Sequence, residues 1–152
     1  MGSYTVSRSV EVDADAATCH ALVDDFHQWT AWSPWEDLDP ALQRTYTGPD
    51  RGVGAHYAWS GNRKAGRGSM EIVGSAPERI DVHLVFQKPW KAENPVEFHF
   101  VPAGAGTRVT WTMSGESTGA AAVFSKVFSM DKLLGRDFEK GLSRLKGVAE
   151  QR

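Results

Sequence analysis

The feature that most constrains the fold of this chain is a change of hydrophobic period near residue 120. Before it, residues 80–87, 96–101 and 108–113 alternate apolar and polar side chains, which is typical of strands with one buried face. After it, residues 120–150 place apolar side chains at intervals of three and four, which predicts an amphipathic helix. A sheet followed by one long apolar helix can bury its core by packing that helix across one face.

The rest of the chain adds strands and two short helices. Four further segments have strand character, and they are residues 4–12, 42–47, 55–59 and 65–74. Between the first two, Asp13-Ala14-Asp15 offers an N-cap for a helix that ends near Asp25, and Phe26 to Trp29 form a second short turn or helix. The predicted order is one strand, two short helices, six strands and a long helix, which is an α+β architecture.

Length and composition exclude several classes of protein. The 152 residues fit one domain, residues 1–152, and the net charge of −2 comes without the clustered Lys and Arg of a nucleic-acid-binding surface. Cys19 is the single cysteine, so no intrachain disulfide is expected. No apolar run reaches the roughly 18 residues of a membrane span, and the first residues carry no secretory signal. We therefore expect a cytoplasmic protein, either a monomer or a homodimer, that does not bind nucleic acid.

Large rings are abundant, with six Trp, seven Phe and three Tyr. They either fill a core or line a cavity, because small-molecule sites are mostly apolar and aromatic. Trp111 and Met113 follow the most regular alternation. The candidate ligand-binding residues are Trp29, Trp32, Tyr57, Trp59, Met70, Phe86, Phe98, Trp111, Met113, Phe124 and Phe128.

Three polar residues are candidate anchors for a ligand. Arg8 and Arg44 fall on the inward parity of their strands, where a guanidinium suits a carboxylate or phenolate. Tyr46 could add a hydroxyl donor, as could Tyr57. The competing interpretation is that each arginine forms an internal ion pair or reaches the rim of the sheet, because an unpaired buried charge is costly.

Sequence motifs for a metal or nucleotide site are missing. His83 and His99 fall on the outer parity of their strands, and Cys19 is best read as a buried thiol rather than a nucleophile. Gly52, Gly54, Gly66 and Gly68 precede strands rather than a helix, so they predict bends and bulges of a curved sheet rather than a phosphate loop. We expect no metal and no cofactor.

The order of elements and several segments resemble the START-like superfamily, and more closely its bacterial polyketide cyclase/dehydrase and lipid-transport group, often called SRPBCC proteins. The resemblance extends from about Tyr4 to Val148. The segments that carry it are WSPWEDLDP, GVGAHYAWSGN, GRGSMEI, GTRVTWTMSG and DFEKGLSRLK. It implies a helix-grip fold, in which a curved antiparallel sheet of about seven strands wraps around the C-terminal helix and encloses a cavity. It implies no universal catalytic set.

Three functions remain open at this point. The leading hypothesis is binding of an apolar or aromatic small molecule, lipid-like or polyketide-like, in the cavity. The alternative is a cofactor-free cyclase or dehydratase that uses an inward Arg, Tyr or His as acid or base. A third is a protein-interaction module on the outer sheet. A catalytic group in the cavity would have a shifted pKa, and a docking surface would expose an apolar patch.

Overall fold

The computed structural model describes residues 2–35, 39–62, 65–88, 91–117 and 127–152. The strands are β1 (Gly2–Val12), β2 (Gln43–Thr47), β3 (His56–Ser60), β4 (Arg67–Ala76), β5 (Arg79–Lys88), β6 (Ala92–Ala103) and β7 (Gly106–Ser117). The helices are α1 (Ala16–Asp24), a 3₁₀ helix (Phe26–Ala31) and α2 (Val127–Glu150). The seven strands form one antiparallel sheet in the order β1-β7-β6-β5-β4-β3-β2. This arrangement confirms the predicted helix-grip fold, with two short helices after the first strand.

One face of the curved sheet carries the core. In β5, Ile80, Val82 and Leu84 are buried, whereas Asp81 and His83 between them are more exposed. β6 and β7 alternate in the same way. Their pairing has no register shift, so the inward residues of the two strands lie side by side on one face of the sheet, next to those of β5. The buried residues of α2 pack onto this face, and they are Phe138, Leu142, Leu145 and Ala149. Among the described residues, none of the helices is both long and apolar enough to cross a bilayer.

The two short helices pack against the sheet, and an aspartate caps the start of each. Asp15 caps α1, because its side chain accepts a hydrogen bond of 2.8 Å from the backbone N–H of Thr18. Asp25 follows the last residue of α1. Its side chain accepts a hydrogen bond from the backbone N–H of His27 and so caps the start of the 3₁₀ helix. Phe26 and Trp29 of that helix are buried in the core.

Some glycines lie at bends of the sheet or where another side chain packs against the backbone. The β4–β5 pair has register shifts at Arg67/Gly68 and at Ile72/Gly74, and such bulges bend and twist a sheet. A Cβ on Gly68 would come within 2.6 Å of Trp59 Cη2, so the indole lies against the bare backbone there. Gly52, for which the sequence predicted a bend or a bulge, lies in the bend before β3 with a φ of 79°.

Two helix glycines mark the closest approach of α2 to its surroundings. At Gly135 a Cβ would collide with the guanidinium of Arg8. At Gly141 it would lie 2.8 Å from Pro34 Cδ and 3.1 Å from Trp111 Cζ3. The absence of side chains at these positions therefore offsets their low helix propensity by letting α2 pack tightly.

A pair of alanine substitutions tests this packing. Gly147→Ala should raise the free energy of unfolding by about 0.5–1 kcal/mol, because nothing lies within 4 Å of its Cβ position and alanine favours helix. Gly141→Ala should lower it by about 1–3 kcal/mol, because the proline ring and the indole cannot yield easily. Urea denaturation of both variants measures the two values. An equal gain in stability from both would show that α2 does not approach Pro34 and Trp111 closely.

Candidate functional site

An apolar cavity of about 210 Å³ lies between the inward face of the sheet, the 3₁₀ helix and α2. Its deep wall is formed by buried side chains of the central strands, whereas Leu42, Trp59 and Ala65 at the β2–β3 end are partly exposed. The lining residues are Phe26, Trp29, Ser33, Trp35, Leu42, Tyr57, Trp59, Ala65, Met70, Leu84, Phe86, Val96, Trp111, Met113, Leu134 and Phe138.

Seven residues predicted to bind a ligand lie on this lining, and they are Trp29, Tyr57, Trp59, Met70, Phe86, Trp111 and Met113. Two others do not. Trp32 and Phe98 are fully buried, but they pack in the core behind the cavity, with their ring centroids 6.0 Å apart. Phe124 lies outside the described residues. Phe128 belongs to α2, but its side chain is also outside the described part of the structure.

The sequence pattern missed several lining residues. Leu84 and Val96 share the inward parity of Phe86 and Phe98, so alternation was the signal that could have found them. Leu134 and Phe138 follow the apolar period of α2 and come from the opposite wall. Trp35 belongs to the WSPWEDLDP segment, and its ring contacts those of both Trp111 and Phe138.

Trp111 is the centre of an aromatic cluster that forms the deep wall. Phe138 stacks on it with ring centroids 4.1 Å apart and an interplanar angle of 5°. Phe98 stacks on it at 5.1 Å and 26°, from the neighbouring strand. Trp32 and Trp35 approach it nearly perpendicularly. Aromatic pairs in such arrangements each contribute about 0.5–1.5 kcal/mol beyond the area they bury, so the cluster stabilises this wall.

The tryptophan N–H groups around the cavity are almost all satisfied by protein acceptors. Trp29 Nε1 donates to Val23 O at 2.9 Å, and Trp59 Nε1 donates to Ala65 O at 2.8 Å. Trp111 Nε1 is different. Among the buried side-chain nitrogen and oxygen atoms that the structure describes, it alone lacks a hydrogen-bond partner.

Arg8, one of the three predicted anchors, does not lie on the lining. Its Nε forms an ion pair of 2.9 Å with Glu139 Oε2, and its Nη1 donates to Ser7 O. Its inward parity brings it under α2 rather than to the cavity, because β1 is the edge strand that α2 covers. The ion pair with Glu139 agrees with the competing interpretation of Arg8, and its role as a ligand anchor stays a prediction.

Arg44 and Tyr46 also lie away from the cavity lining. Both are partly buried on β2, the other edge strand. The Tyr46 ring stacks on His27 with centroids 4.0 Å apart and borders a separate pocket of about 100 Å³. In the sheet register, Arg44 pairs with Trp59 and Tyr46 with Tyr57, so both lie next to lining residues, and their role as anchors stays a prediction.

Comparison with known proteins decides the family. The family model described as polyketide cyclase / dehydrase and lipid transport matches residues 3–150. The chain belongs to this polyketide cyclase/dehydrase and lipid-transport family. Comparison with curated proteins gives no significant match.

Solved structures agree with the family assignment at the level of the fold. A START superfamily protein from Mycobacterium smegmatis is 20% identical, with a TM-score of 0.61, 97% of this chain covered and 98% of that one. An uncharacterized protein from Rhizobium leguminosarum is 14% identical, with a TM-score of 0.71 and coverages of 99% and 97%. A protein from Nitrosospira multiformis is 20% identical, with a TM-score of 0.65 and 94% of both chains covered.

Beside the cavity, this family member has a polar pair that the sequence pattern did not reveal. The pairing of β6 with β7 ends at Val96↔Met113, and Asn94 bridges the gap beyond it. Asn94 Nδ2 donates to Tyr4 OH and to Ser114 O, both at 3.0 Å. Burial raises the pKa of Tyr4, and the bond from Asn94 opposes this only in part. These neutral groups therefore connect β6 to β7 and β1 where the backbone pairing of β6 with β7 has ended.

The titratable candidates from the sequence lie outside the cavity of this family member. His83 pairs with Glu93 and His99 with Glu97, both at 2.9 Å on the outer face. Cys19 is fully buried, and burial raises the pKa of its thiol, which disfavours the nucleophilic thiolate. Among the described residues, no group of three or more His, Cys, Asp or Glu side chains could hold a metal ion.

Proposed function

We propose that this chain binds a compact apolar small molecule, aromatic in character, in the cavity between the sheet and α2. The observation that carries the proposal is the composition of the lining. No Asp, Glu, His, Lys or Arg is among the described residues that form it, and rings and aliphatic side chains supply most of its surface. Such a site derives affinity from burial of apolar surface, at roughly 25 cal/mol per Å².

The volume limits the size of the ligand. Cavities of about 150 Å³ accommodate benzene, whereas sites for drug-sized ligands usually range from about 300 to 1,000 Å³. At about 210 Å³, this cavity suits one or two fused rings rather than a long acyl chain. Of the two ligand types that the family description covers, an aromatic, polyketide-like molecule therefore fits better than an extended lipid.

The lining favours binding over acid–base catalysis, because Tyr57 is the one titratable side chain among its described residues. A general acid or base must lie within hydrogen-bond reach of the reacting group and titrate near the working pH. Tyr4 and Cys19, whose pKa values are raised by burial, lie outside the lining. Protein docking has little support too, because Val53, Val73 and Val101, the large apolar residues that are exposed in the described structure, lie on three separate elements.

Naphthalene titration followed by methyl NMR tests the proposal. The methyl resonances of Met70, Val96 and Met113, which line the cavity, should shift progressively and saturate. Those of Val101, which faces outward on the same strand as Val96, should not move. Equal small shifts at all four residues, or none up to the solubility limit of naphthalene, would contradict the proposal.

A second measurement identifies what the protein carries. Native mass spectrometry of the purified chain compares its intact mass with the denatured mass, and a discrete difference gives the mass of a bound compound. We expect a small neutral molecule of one or two rings. A bound fatty acid or phospholipid instead would contradict the size argument.

A further inference from the structure

A second, smaller pocket, the polar pocket, lies next to the apolar cavity. It has a volume of about 100 Å³ and lies between the 3₁₀ helix and the turn that joins β2 to β3. Its lining differs from that of the cavity because it includes five residues with polar side chains, and they are His27, Tyr46, Thr47, Asp50 and His56. Phe26 is the one described residue that belongs to both linings.

We propose that the Phe26 ring separates these two spaces and so determines how long a ligand the chain can bind. Removing the ring would join them into one site, with an apolar part for fused rings and a polar part for a hydroxyl group. This inference rests on the proposed function, because it concerns the same cavity. It names the residue that makes the site selective for compact molecules.

The contacts of the Phe26 ring support its position at this boundary. It packs against Trp29 and Tyr57 of the cavity lining, with ring centroids 5.5 and 5.9 Å away. The neighbours of Tyr57 already belong to the polar pocket. Tyr46, which pairs with Tyr57 across β2 and β3, lines that pocket, and so does Ala55, two residues before Tyr57. The two spaces therefore meet where Phe26 packs.

Other large rings of the cavity have packed core side chains behind them. Trp32 lies behind Trp29, with ring centroids 4.6 Å apart, and Phe98 stacks on Trp111 at 5.1 Å. Trp32 and Phe98 are fully buried and lie outside the cavity lining. Truncating Trp29 or Trp111 would therefore expose core side chains to the cavity, whereas truncating Phe26 would join the cavity to a space that already exists.

The polar pocket suits a neutral hydroxyl group better than an anion or an apolar group. Imidazole and hydroxyl side chains offer both donors and acceptors, and His27, Thr47 and His56 supply them. A carboxylate would lie beside Asp50 in the same pocket, and the two charges would have the same sign. An apolar group would displace water from these side chains without replacing its hydrogen bonds, which costs free energy.

Two long probes test the inference. 2-Phenylnaphthalene and 4-(2-naphthyl)phenol share one frame, and only the latter carries a hydroxyl group, at its far end. Fluorescence titration gives their dissociation constants for the wild-type chain and for Phe26→Ala. The variant should bind the phenol at least about tenfold more tightly than wild type, because the added ring becomes buried, and more tightly than 2-phenylnaphthalene. Naphthalene should gain no affinity, because it fits the cavity alone.

Phe100→Ala is the matched control. Phe100 is 1% exposed and lines neither space, so its truncation removes an equal side chain from the core without joining the two. It should leave the affinities for both long probes at their wild-type values. Urea denaturation establishes that each variant is folded. Phe26→Leu, which removes less of the side chain, takes the place of Phe26→Ala if the alanine variant is unfolded.

A spectroscopic readout reports on the polar pocket itself. The imidazole resonances of His27 and His56, both on its lining, are followed by NMR during titration. The phenol should shift them in Phe26→Ala, because its hydroxyl group reaches the pocket. Naphthalene should shift them in neither chain.

The outcomes separate the two proposals. If naphthalene binds the wild-type chain but a folded Phe26→Ala protein gains no affinity for the long probes, Phe26 is not the partition and the binding function stands. An equal gain in Phe100→Ala would also overturn the partition, since it would show that any loosening of the core admits the probes. Equal gains for the two long probes would contradict the polar role of the pocket. If naphthalene does not bind the wild-type chain, the binding function itself fails.

Discussion

Val96→Trp is expected to abolish binding of naphthalene, lowering the affinity at least about 100-fold, which corresponds to about 2.8 kcal/mol. Val96 is 4% exposed and lies on the cavity lining, where it pairs with Val82 of β5 on one side and with Met113 of β7 on the other. A cavity of about 150 Å³ holds one benzene molecule, and an indole is larger than benzene. An indole at position 96 would therefore fill most of the cavity of about 210 Å³ and leave no room for naphthalene. Calorimetric titration with naphthalene measures the loss.

The matched control for this variant lies on the same strand. Val101→Trp places the same side chain on the outer face, where the valine is 48% exposed, and should leave naphthalene affinity unchanged. Urea denaturation checks that both variants remain folded, since overpacking can cost about 1–3 kcal/mol. Undiminished binding by a folded Val96→Trp protein would place the ligand site elsewhere.

Trp32→Ala is expected to give the largest loss of stability, about 3–5 kcal/mol in the free energy of unfolding. Trp32 is fully buried and packs against Trp29, Phe98 and Trp111, so its truncation leaves a void among rigid rings. It also removes the 2.8 Å hydrogen bond from Nε1 to Leu22 O, which leaves a buried carbonyl unsatisfied. Equilibrium urea denaturation measures the effect, provided that the slope with urea is unchanged.

A second substitution at the same position separates packing from hydrogen bonding. Trp32→Phe keeps a ring in the cluster and loses the bond to Leu22, so it should cost less than the alanine variant, about 1–3 kcal/mol. Since Trp32 is not on the cavity lining, the phenylalanine variant should retain naphthalene binding. A loss below about 1 kcal/mol for Trp32→Ala would mean that the cluster is loosely packed.

The fold could be predicted because its main signals are local. Residues 80–87 and 108–113 alternate so regularly that the inward residues of β5 and β7 follow directly from the sequence. The apolar period of α2 is as clear, and an α+β chain with one long helix has few ways to bury it. The glycines were harder to interpret, because Gly52 serves a turn while Gly68 accommodates the indole of Trp59.

The site could be predicted only in part, because parity does not say what lies above an inward residue. Val96 and Phe98 are two residues apart on the same face of β6, yet Val96 borders the cavity and Phe98 lies under Trp29 and Trp32. The difference depends on where the 3₁₀ helix and α2 settle. The position of the Arg8 side chain likewise depends on its ion pair with Glu139, which lies 131 residues away in the sequence.

The pairing of β1 with β7 has a consequence for synthesis on the ribosome. Strands β2 to β6 each pair with the next strand in sequence, so β2 to β7 can form as successive hairpins while the chain emerges. The first strand cannot join them until Gly106–Ser117 has been made, because its register runs from Gly2↔Ser117 to Val12↔Thr107. During translation, this eleven-residue strand, with Tyr4, Val6, Val10 and Val12 on its inward face, therefore lacks the neighbour that pairs with it until the last strand has been made.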